Sequence, residues 1–508
     1  MIISEIPWSS QIGFPILGVM QFLPVLGAIL LVVTRRSQLA VFMALVLGLV
    51  ELGLALTLRH TFVPNQPGLQ LVERLPIIGL LNYHSGVDGI GVLFMLLTAF
   101  LSFMVVVYGI FIRRFEFLPR YLAVVLAMEA LIMGQFATVD LLWFTLLTLT
   151  QTVFSGQLLR VWATSSEEGP AVARFYQFMG VSLLLLITAT LLLGWQHAMA
   201  SGGFWCSDLP SLSAIELPPA LQSVIFYLLL YGLAIRIPMF PLHAWLPLVA
   251  EHGTVASAMV LLLGLKTGVY GLIRFVFPLL PYAVEQWHGY VIAIAATGIF
   301  YTALLALMQQ NLRRLVAYAV VSHTSILVIG LFSLQAPAFQ GSIILAANFG
   351  LAISTLLFTL GMVYMRTNTM QLSKLGGIFD FLPGIAIAFL VASLAIAGMP
   401  GTPGFDAAHL ILDAAIHTFG ALVTITAALG NVAAVSCLLW AFQHTFLAHP
   451  SPKEVITLAR ASAVETAFVV VMIVVQLVAG FHSEPWLGLV DRASRELATP
   501  YQSERKPE

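Results

Sequence analysis

Charge is what this 508-residue chain has least of: Asp, Glu, Lys and Arg make up 9% of it, while 60% is hydrophobic. Soluble domains carry roughly 25% charged residues because their surfaces face water. So little charge cannot cover a soluble surface of this size, and the mean hydropathy of +0.98 agrees. Lipid is therefore the solvent for most of the chain. Cysteine is nearly absent too. Cys206 and Cys437 are the only two, which excludes a Cys-x-x-Cys pair, a four-thiolate cluster and a disulfide framework. A net charge of −1 with no basic cluster leaves no electrostatic footprint for nucleic acid. No GxGxxG follows a strand and there is no P-loop, so no cofactor site is expected in this chain. A cleaved signal is not expected either, because Glu5 and no basic residue precedes a first apolar run long enough to span.

What is present is a series of long apolar runs. A spanning helix needs about 20 mostly apolar residues, and fourteen runs meet that measure, near 14–33, 39–58, 88–112, 121–138, 140–161, 176–195, 222–247, 255–278, 289–308, 315–334, 341–365, 382–417, 419–446 and 462–482. They are continuous rather than alternating, which excludes a barrel. The expected fold is an all-α polytopic membrane protein. Thirteen basic residues lie in or beside the connections after odd-numbered spans, among them Arg35, Arg113, Arg114, Arg313, Arg314, Arg366 and Lys453, against Arg59, Arg74 and Arg274 after even-numbered ones. The positive-inside rule then puts the odd connections in the cytoplasm or its equivalent and both termini opposite. No connection is long enough to be a catalytic domain, so the chemistry is expected within the membrane.

Two spans are interrupted alike. The seventh reads Arg236-Ile237-Pro238-Met239-Phe240-Pro241-Leu242-His243-Ala244-Trp245-Leu246-Pro247, and the twelfth carries Gly398-Met399-Pro400-Gly401-Thr402-Pro403-Gly404. Proline inside a helix frees carbonyls, which lipid does not tolerate unless protein or water satisfies them. Paired interruptions five spans apart point to an inverted repeat of spans 4–8 and 9–13, with the ion path at the breaks; simple kinks in packed helices are the plainer alternative. The expected organisation is an N-terminal three-helix segment (1–120), two antiporter-like repeats (121–280 and 281–446), and a C-terminal helix with a polar tail (447–508).

The breaks coincide with ionisable groups. Glu129 sits mid-span in the fourth helix, Arg236 and His243 at the seventh break, Lys266 in the eighth and His323 in the tenth; Asp406, His409, Asp413 and His417 follow the twelfth break. Such side chains at bilayer depth are costly and usually pair or line water. A desolvated Lys and a His both exchange protons near neutral pH, so acids, His and Lys on neighbouring helices have the chemistry of a proton relay. Arg236 keeps its charge and serves equally as a fixed structural cation. His243 and His323 have packing roles as their plainer reading, Asp140 and Arg160 lie where snorkelling explains them, and Glu51 and Glu465 have no evident partner.

Four stretches carry a family resemblance: Gly86-Val87-Asp88-Gly89-Ile90; Met128-Glu129-Ala130 spaced before Asp140-Leu141-Leu142; Arg236 to Pro247 with Leu265-Lys266-Thr267-Gly268-Val269-Tyr270-Gly271; and Arg314 to His323. Nearly the whole chain resembles the antiporter-like membrane-arm subunits of complex I and NDH, of the NuoM/NdhD type (chain 4), which are related to Mrp cation/proton antiporter subunits. The resemblance implies a proton-translocating subunit of an NAD(P)H or ferredoxin:quinone oxidoreductase. Quinone, NAD(P)H or ferredoxin and Fe–S clusters would reside in partner subunits of the membrane and peripheral arms, and no redox centre in this chain. The bacterial inner membrane and the cyanobacterial thylakoid fit equally. Of the family's pump residues, Lys266 and His323 match. The span 5 Glu falls on Leu149, with Thr148, Thr150 and Gln151 nearby, the span 7 Lys on Arg236, and the span 12 acid on about Ala408, flanked by Asp406 and His409. The implied proton path is Lys266, His323, Arg236, Glu129, His243, Asp406 and His409. The divergent loop Leu248-Val249-Ala250-Glu251-His252-Gly253 is similar to NdhD-type subunits of cyanobacterial CO2-uptake complexes, which implies a CO2-hydrating partner subunit. Two other functions stay open: a stand-alone or Mrp-like cation/proton antiporter, and a structural membrane-arm subunit that has lost pumping.

Overall fold

The apolar runs fold as helices because a helix satisfies every backbone polar group within one segment. The computed structural model describes residues 4–34, 36–78, 81–111, 118–163, 168–253, 266–448 and 458–502. Arg35, Arg113, Arg114, Lys453 and the first part of the eighth expected span (255–265) lie outside the described residues.

The first spans are α1 (Ile16–Val33), α2 (Ser37–Thr61), α3 (Gly89–Phe111), α4 (Leu118–Ala137), α5 (Leu141–Val161) and α6 (Glu168–Ala200). After a short helix α7 (Leu209–Leu212), α8 (Pro219–Arg236) runs into the first break and resumes as α9 (Trp245–His252). Next come α10 (266–279, with a π-type turn at Leu272–Val276), α11 (Pro281–Leu307), α12 (Leu312–Leu331) and α13 (Ala336–Thr367). The second broken span is α14 (Pro383–Ile396) and the start of α15 (Pro403–Phe442), followed by α16 (Ala463–Phe481) and α17 (Glu484–Gln502). At 1.5 Å per residue the 40 residues of α15 would reach about 60 Å, twice a bilayer core. Gly420 (φ 74°, ψ −172°) divides it into two crossings.

The connections sort by parity. A small sheet lies on the even side: β1 (Glu5–Pro7) pairs in parallel with β2 (Leu69–Ile78), which pairs antiparallel with β3 (Leu81–Val87). On the same side Ser85 bridges Thr138, Asp140 bridges Asp208, and the Arg492 guanidinium of α17 donates to the Asn65 carbonyl at 2.6 Å. On the odd side Asn311 bridges Gln371, Arg313 donates to the Gly253 carbonyl at 2.7 Å, and Arg366 to that of Ala459 at 2.8 Å. Both ends of the described chain share the even side, so the number of crossings is even. Among the described residues eleven helices are long and apolar enough to cross a membrane, and counting α5, α10 and the division of α15 at Gly420 gives the fourteen expected.

Two expectations need correction. Residues 484–502 are not a polar tail. They form an amphipathic helix seated on α3 and α13, with Leu489 and Val490 buried, and Tyr501 Oη donates to the Phe277 carbonyl at 2.7 Å. The 1–120 segment is more than three helices, since the sheet caps α1: Leu17 and Gly18 N–H groups donate to the two Glu73 carboxylate oxygens at 2.8 and 2.9 Å. Glu73 lies outside the spans, and burial raises its pKa from 4.5 to about 7 although those two bonds favour the ionised form.

The two breaks satisfy their freed carbonyls by one local pattern. Met239 N–H donates to Ala234 O, and the Trp245 indole to Ile235 O at 2.8 Å. Correspondingly, Met399 N–H donates to Leu394 O, and the side chains of Asn348 and Asn431 donate to Ala395 O and Ala397 O at 2.9 and 2.8 Å. Protein donors thus do what lipid cannot. The centre of the bundle is α13, 94% of whose apolar window is buried against 28% for α2 and α16 at the rim.

Candidate functional site: a buried polar row across the bundle

Lys266 enters on α10, 3% exposed, and its Nζ has no hydrogen-bond or ion-pair partner among the described residues. It reaches α13 at Gly350, where a Cβ would collide with the Lys266 Cε and Nζ. A glycine here is thus what lets the ammonium lie against the central helix. The next residue back, Phe349, faces the other way and meets the His323 ring edge-on at 5.6 Å. Lys266 and His323 thus flank adjacent residues of one helix. His323 Nε2 is buried and has no partner among the described residues, and the ring borders a cavity of about 10 Å³, near the smallest space that admits one water. Ala408 and Asn431 line that cavity.

On the other side of Lys266, Gly268 packs where a Cβ would meet the Arg236 Cβ at 3.3 Å. Arg236 ends α8, 5% exposed, and its guanidinium donates to Ser182 Oγ at 3.1 Å and Thr152 Oγ1 at 2.8 Å. Among the described residues no carboxylate lies within 4 Å of it. The row continues through neutral groups: Thr152 donates to Thr148 O, and Gln135 Nε2 donates to both Thr148 Oγ1 and Gln151 Oε1 at 3.1 Å. Glu129 lies further along α4, fully buried, with both oxygens unpartnered.

The other expected residues separate. His243 is buried in an aromatic enclosure of Phe240, Tyr301 and Tyr318, with ring centroids 5.9–6.2 Å apart and Nδ1 unpartnered. Asp406 is half-buried and His409 exposed, while Asp413 and His417 (61% and 72% exposed) form a surface pair at 3.8 Å. Ala408, not either flanking ionisable group, is what the helix turns toward His323. Leu149 is 41% exposed and Thr150 also faces out, so neither meets Arg236; Thr152, one turn on, does. Asp140 does not snorkel: its carboxylate caps α5 through Trp143 N–H at 2.8 Å and accepts from Ser207 at 2.7 Å. Glu465 has a partner after all, Arg366 at 2.8 Å, and completes a capping box with Ser462. Asp88 of the Gly86–Ile90 motif pairs with Arg274 at 3.0 Å and caps α3 through Gly91 N–H. The stretch 248–253, expected as a loop, is the end of α9 with Gly253 as its C-cap, and it is pinned by Arg313 and Arg314, the latter 3.4 Å from Glu251. Reading for ionisable groups alone overlooked Thr152, Ser182, Gln135, Asn348 and Asn431, although uncharged amides inside apolar runs were a visible signal.

The chain and its fold can be set beside known proteins. Residues 139–435 match the family model described as NADH:quinone oxidoreductase/Mrp antiporter, TM, over more than half of the chain. The chain belongs to that family. Among its relatives is NADH-quinone oxidoreductase subunit M of Rhodobacter capsulatus, 27% identical over 96% of this chain and 97% of that one. A chain of respiratory complex I from Thermus thermophilus superposes with a TM-score of 0.84 at 26% identity, covering 95% of this chain and 99% of its own. A chain of the Mrp complex from Dietzia sp. DQ12-45-1b superposes equally well, with a TM-score of 0.84 over 96% and 98%; at 19% identity it shares the fold. This family member is thus an integral membrane protein whose fold serves in both kinds of assembly.

Proposed function

We propose that this chain is a proton-translocating membrane-arm subunit of an NADH:quinone oxidoreductase assembly, coupled to electron transfer in partner subunits. The observation that carries the reading is the Lys266 ammonium, buried without a partner among the described residues against Gly350 and one residue from the His323 contact at Phe349. An uncompensated lysine in a low-dielectric interior is readily neutralised by giving up its proton, and His323 beside a water-sized cavity is the acceptor. In this reading Lys266 and His323 carry protons. Arg236 is a fixed charge biasing them, Glu129 and His243 stand at the flanks, and Asp406 and His409 receive the proton on the side of α15 turned away from the bundle. The matching hydrogen-bond patterns at the two breaks support an inverted repeat of 121–280 and 281–446 around this row. NADPH or ferredoxin as donor, and a CO2-hydrating partner for the face carrying 248–253, are finer variants of the same proposal.

The test is proton uptake by proteoliposomes holding the intact complex, with electron transfer recorded in parallel. Lys266→Ala should lower the protons moved per electron, and Lys266→Arg, which keeps the charge but cannot release a proton, should lower it as much. Unchanged coupling in both would make the chain a structural member of the arm. The Mrp-like reading would be supported instead by Na⁺-dependent transport in the absence of electron transfer.

A further inference from the structure

Two carboxylates stand apart from the Lys266–His323 row. Glu51 on α2 and Glu129 on α4 are both fully buried, and among the described residues none of their four oxygens has a hydrogen-bond partner. The helices that carry them converge on α1. A Cβ at Gly27 would meet Leu47 Cδ1 of α2 at 2.5 Å and Leu126 Cδ1 of α4 at 3.1 Å. By the parity of the connections α2 and α4 run in the same direction. Glu51 is four residues beyond Leu47 and Glu129 three beyond Leu126, each one turn further along the same helix face. The two glutamates therefore stand at similar depth. They also interact electrostatically.

The surrounding elements supply nothing to offset two negative charges. Helix α1 carries no charged residue and α3 none; α2 adds only Arg59 and His60, α4 only Arg120, and α5 only Arg160. Arg59 is eight residues from Glu51 and Arg120 nine from Glu129, about 12 and 13 Å along their helices. Two ionised carboxylates at close quarters in a dry interior are mutually excluded: one proton held between them removes the repulsion, and a second removes the remaining buried charge.

We propose that Glu51 and Glu129 form a proton-holding carboxyl pair between α2 and α4, a second proton-exchange site of this subunit. In the loaded state both carboxyls are protonated and one donates its O–H to the carbonyl oxygen of the other. Discharge breaks one O–H bond, passes that proton to water or a neighbouring acceptor and leaves the remaining proton shared between the two, and reloading restores it from water, with no other bond changed. The proposal rests on the proton-translocation reading for its role, but the holding of the proton stands independently of Lys266.

The test uses infrared difference spectroscopy and proton-per-electron measurements on the intact complex in proteoliposomes, at neutral pH and in Na⁺-free and Na⁺-containing buffer. Wild type should show the C=O stretch of a protonated carboxyl, shifted on exchange into D2O and lost in the E51Q/E129Q double variant. In Glu51→Gln, which keeps the shape but removes the partner carboxyl, the band of the remaining carboxyl should shift in frequency, and the proton yield should fall. Should Glu129→Gln fail to assemble, Glu51→Gln and the wild-type D2O shift suffice. Identical bands in wild type and Glu51→Gln would overturn the pair. So would a band that appears only when Na⁺ is withdrawn, since that marks a cation site. A band that behaves as expected with unaltered proton yield would overturn the exchange role. Persistence of the band in Lys266→Ala separates failure of this proposal from failure of the Lys266 reading.

Discussion

Replacing Thr152 with valine probes the environment of Arg236 without changing its volume. The guanidinium is 5% exposed and held by two hydroxyls, Thr152 at 2.8 Å and Ser182 at 3.1 Å. A hydrogen bond to a charged group is worth about 1.5–3 kcal/mol, and valine leaves no cavity to add to this. The Thr152 hydroxyl also donates to Thr148 O, but that bond is back to its own helix and worth little. Thr152→Val should therefore cost about 1.5–3 kcal/mol in the native background and less than about 0.5 kcal/mol when Arg236 is already methionine. Equilibrium unfolding of the chain in mixed micelles, run as a double-mutant cycle, measures the difference. If the two substitutions add within about 0.5 kcal/mol, Thr152 does not hold Arg236, and the neutral network is not its counterpart for the family's carboxylate.

Further expectations concern three other places. Gly350→Ala puts a methyl group where the Lys266 ammonium lies; the flexible lysine should shift at a cost of about 1–3 kcal/mol, and proton yield should fall while electron transfer continues. Glu73 is protonated more readily in the fold than in the unfolded chain, its pKa standing at about 7 against 4.5. Its contribution to stability is thus fully present below about 4.5 and is lost as pH rises through about 7. Thermal inactivation midpoints across that window should decline less in Glu73→Gln than in wild type, and parallel curves would refute the assignment. Arg274→Met strands the partly buried Asp88 and should cost about 3 kcal/mol, the lower end for a broken buried pair because Asp88 is 19% exposed; recovery of stability in the Asp88→Asn/Arg274→Met double variant would check the cause.

The sequence by itself determined the class, the spans and the breaks. Scarce charge and long apolar runs admit only spanning helices, because a lipid solvent leaves backbone groups no other partner. Pro238 and Pro241, and Gly398 to Gly404, mark interruptions that no local alternative could repair. Lys266 and His323 were legible because an ionisable group inside such a run is costly enough to need a reason. What each of these groups faces was decided only by packing. A helix position becomes interior or exterior according to its neighbours, so Leu149 turned outward while Thr152 met Arg236, and His409 was left exposed while Ala408 turned to the His323 cavity. The pairing of β2 with β3, the seating of α17 and the convergence of α2 and α4 on Gly27 likewise depend on contacts between segments distant in the chain. Hydropathy reads one segment at a time and carries no record of them.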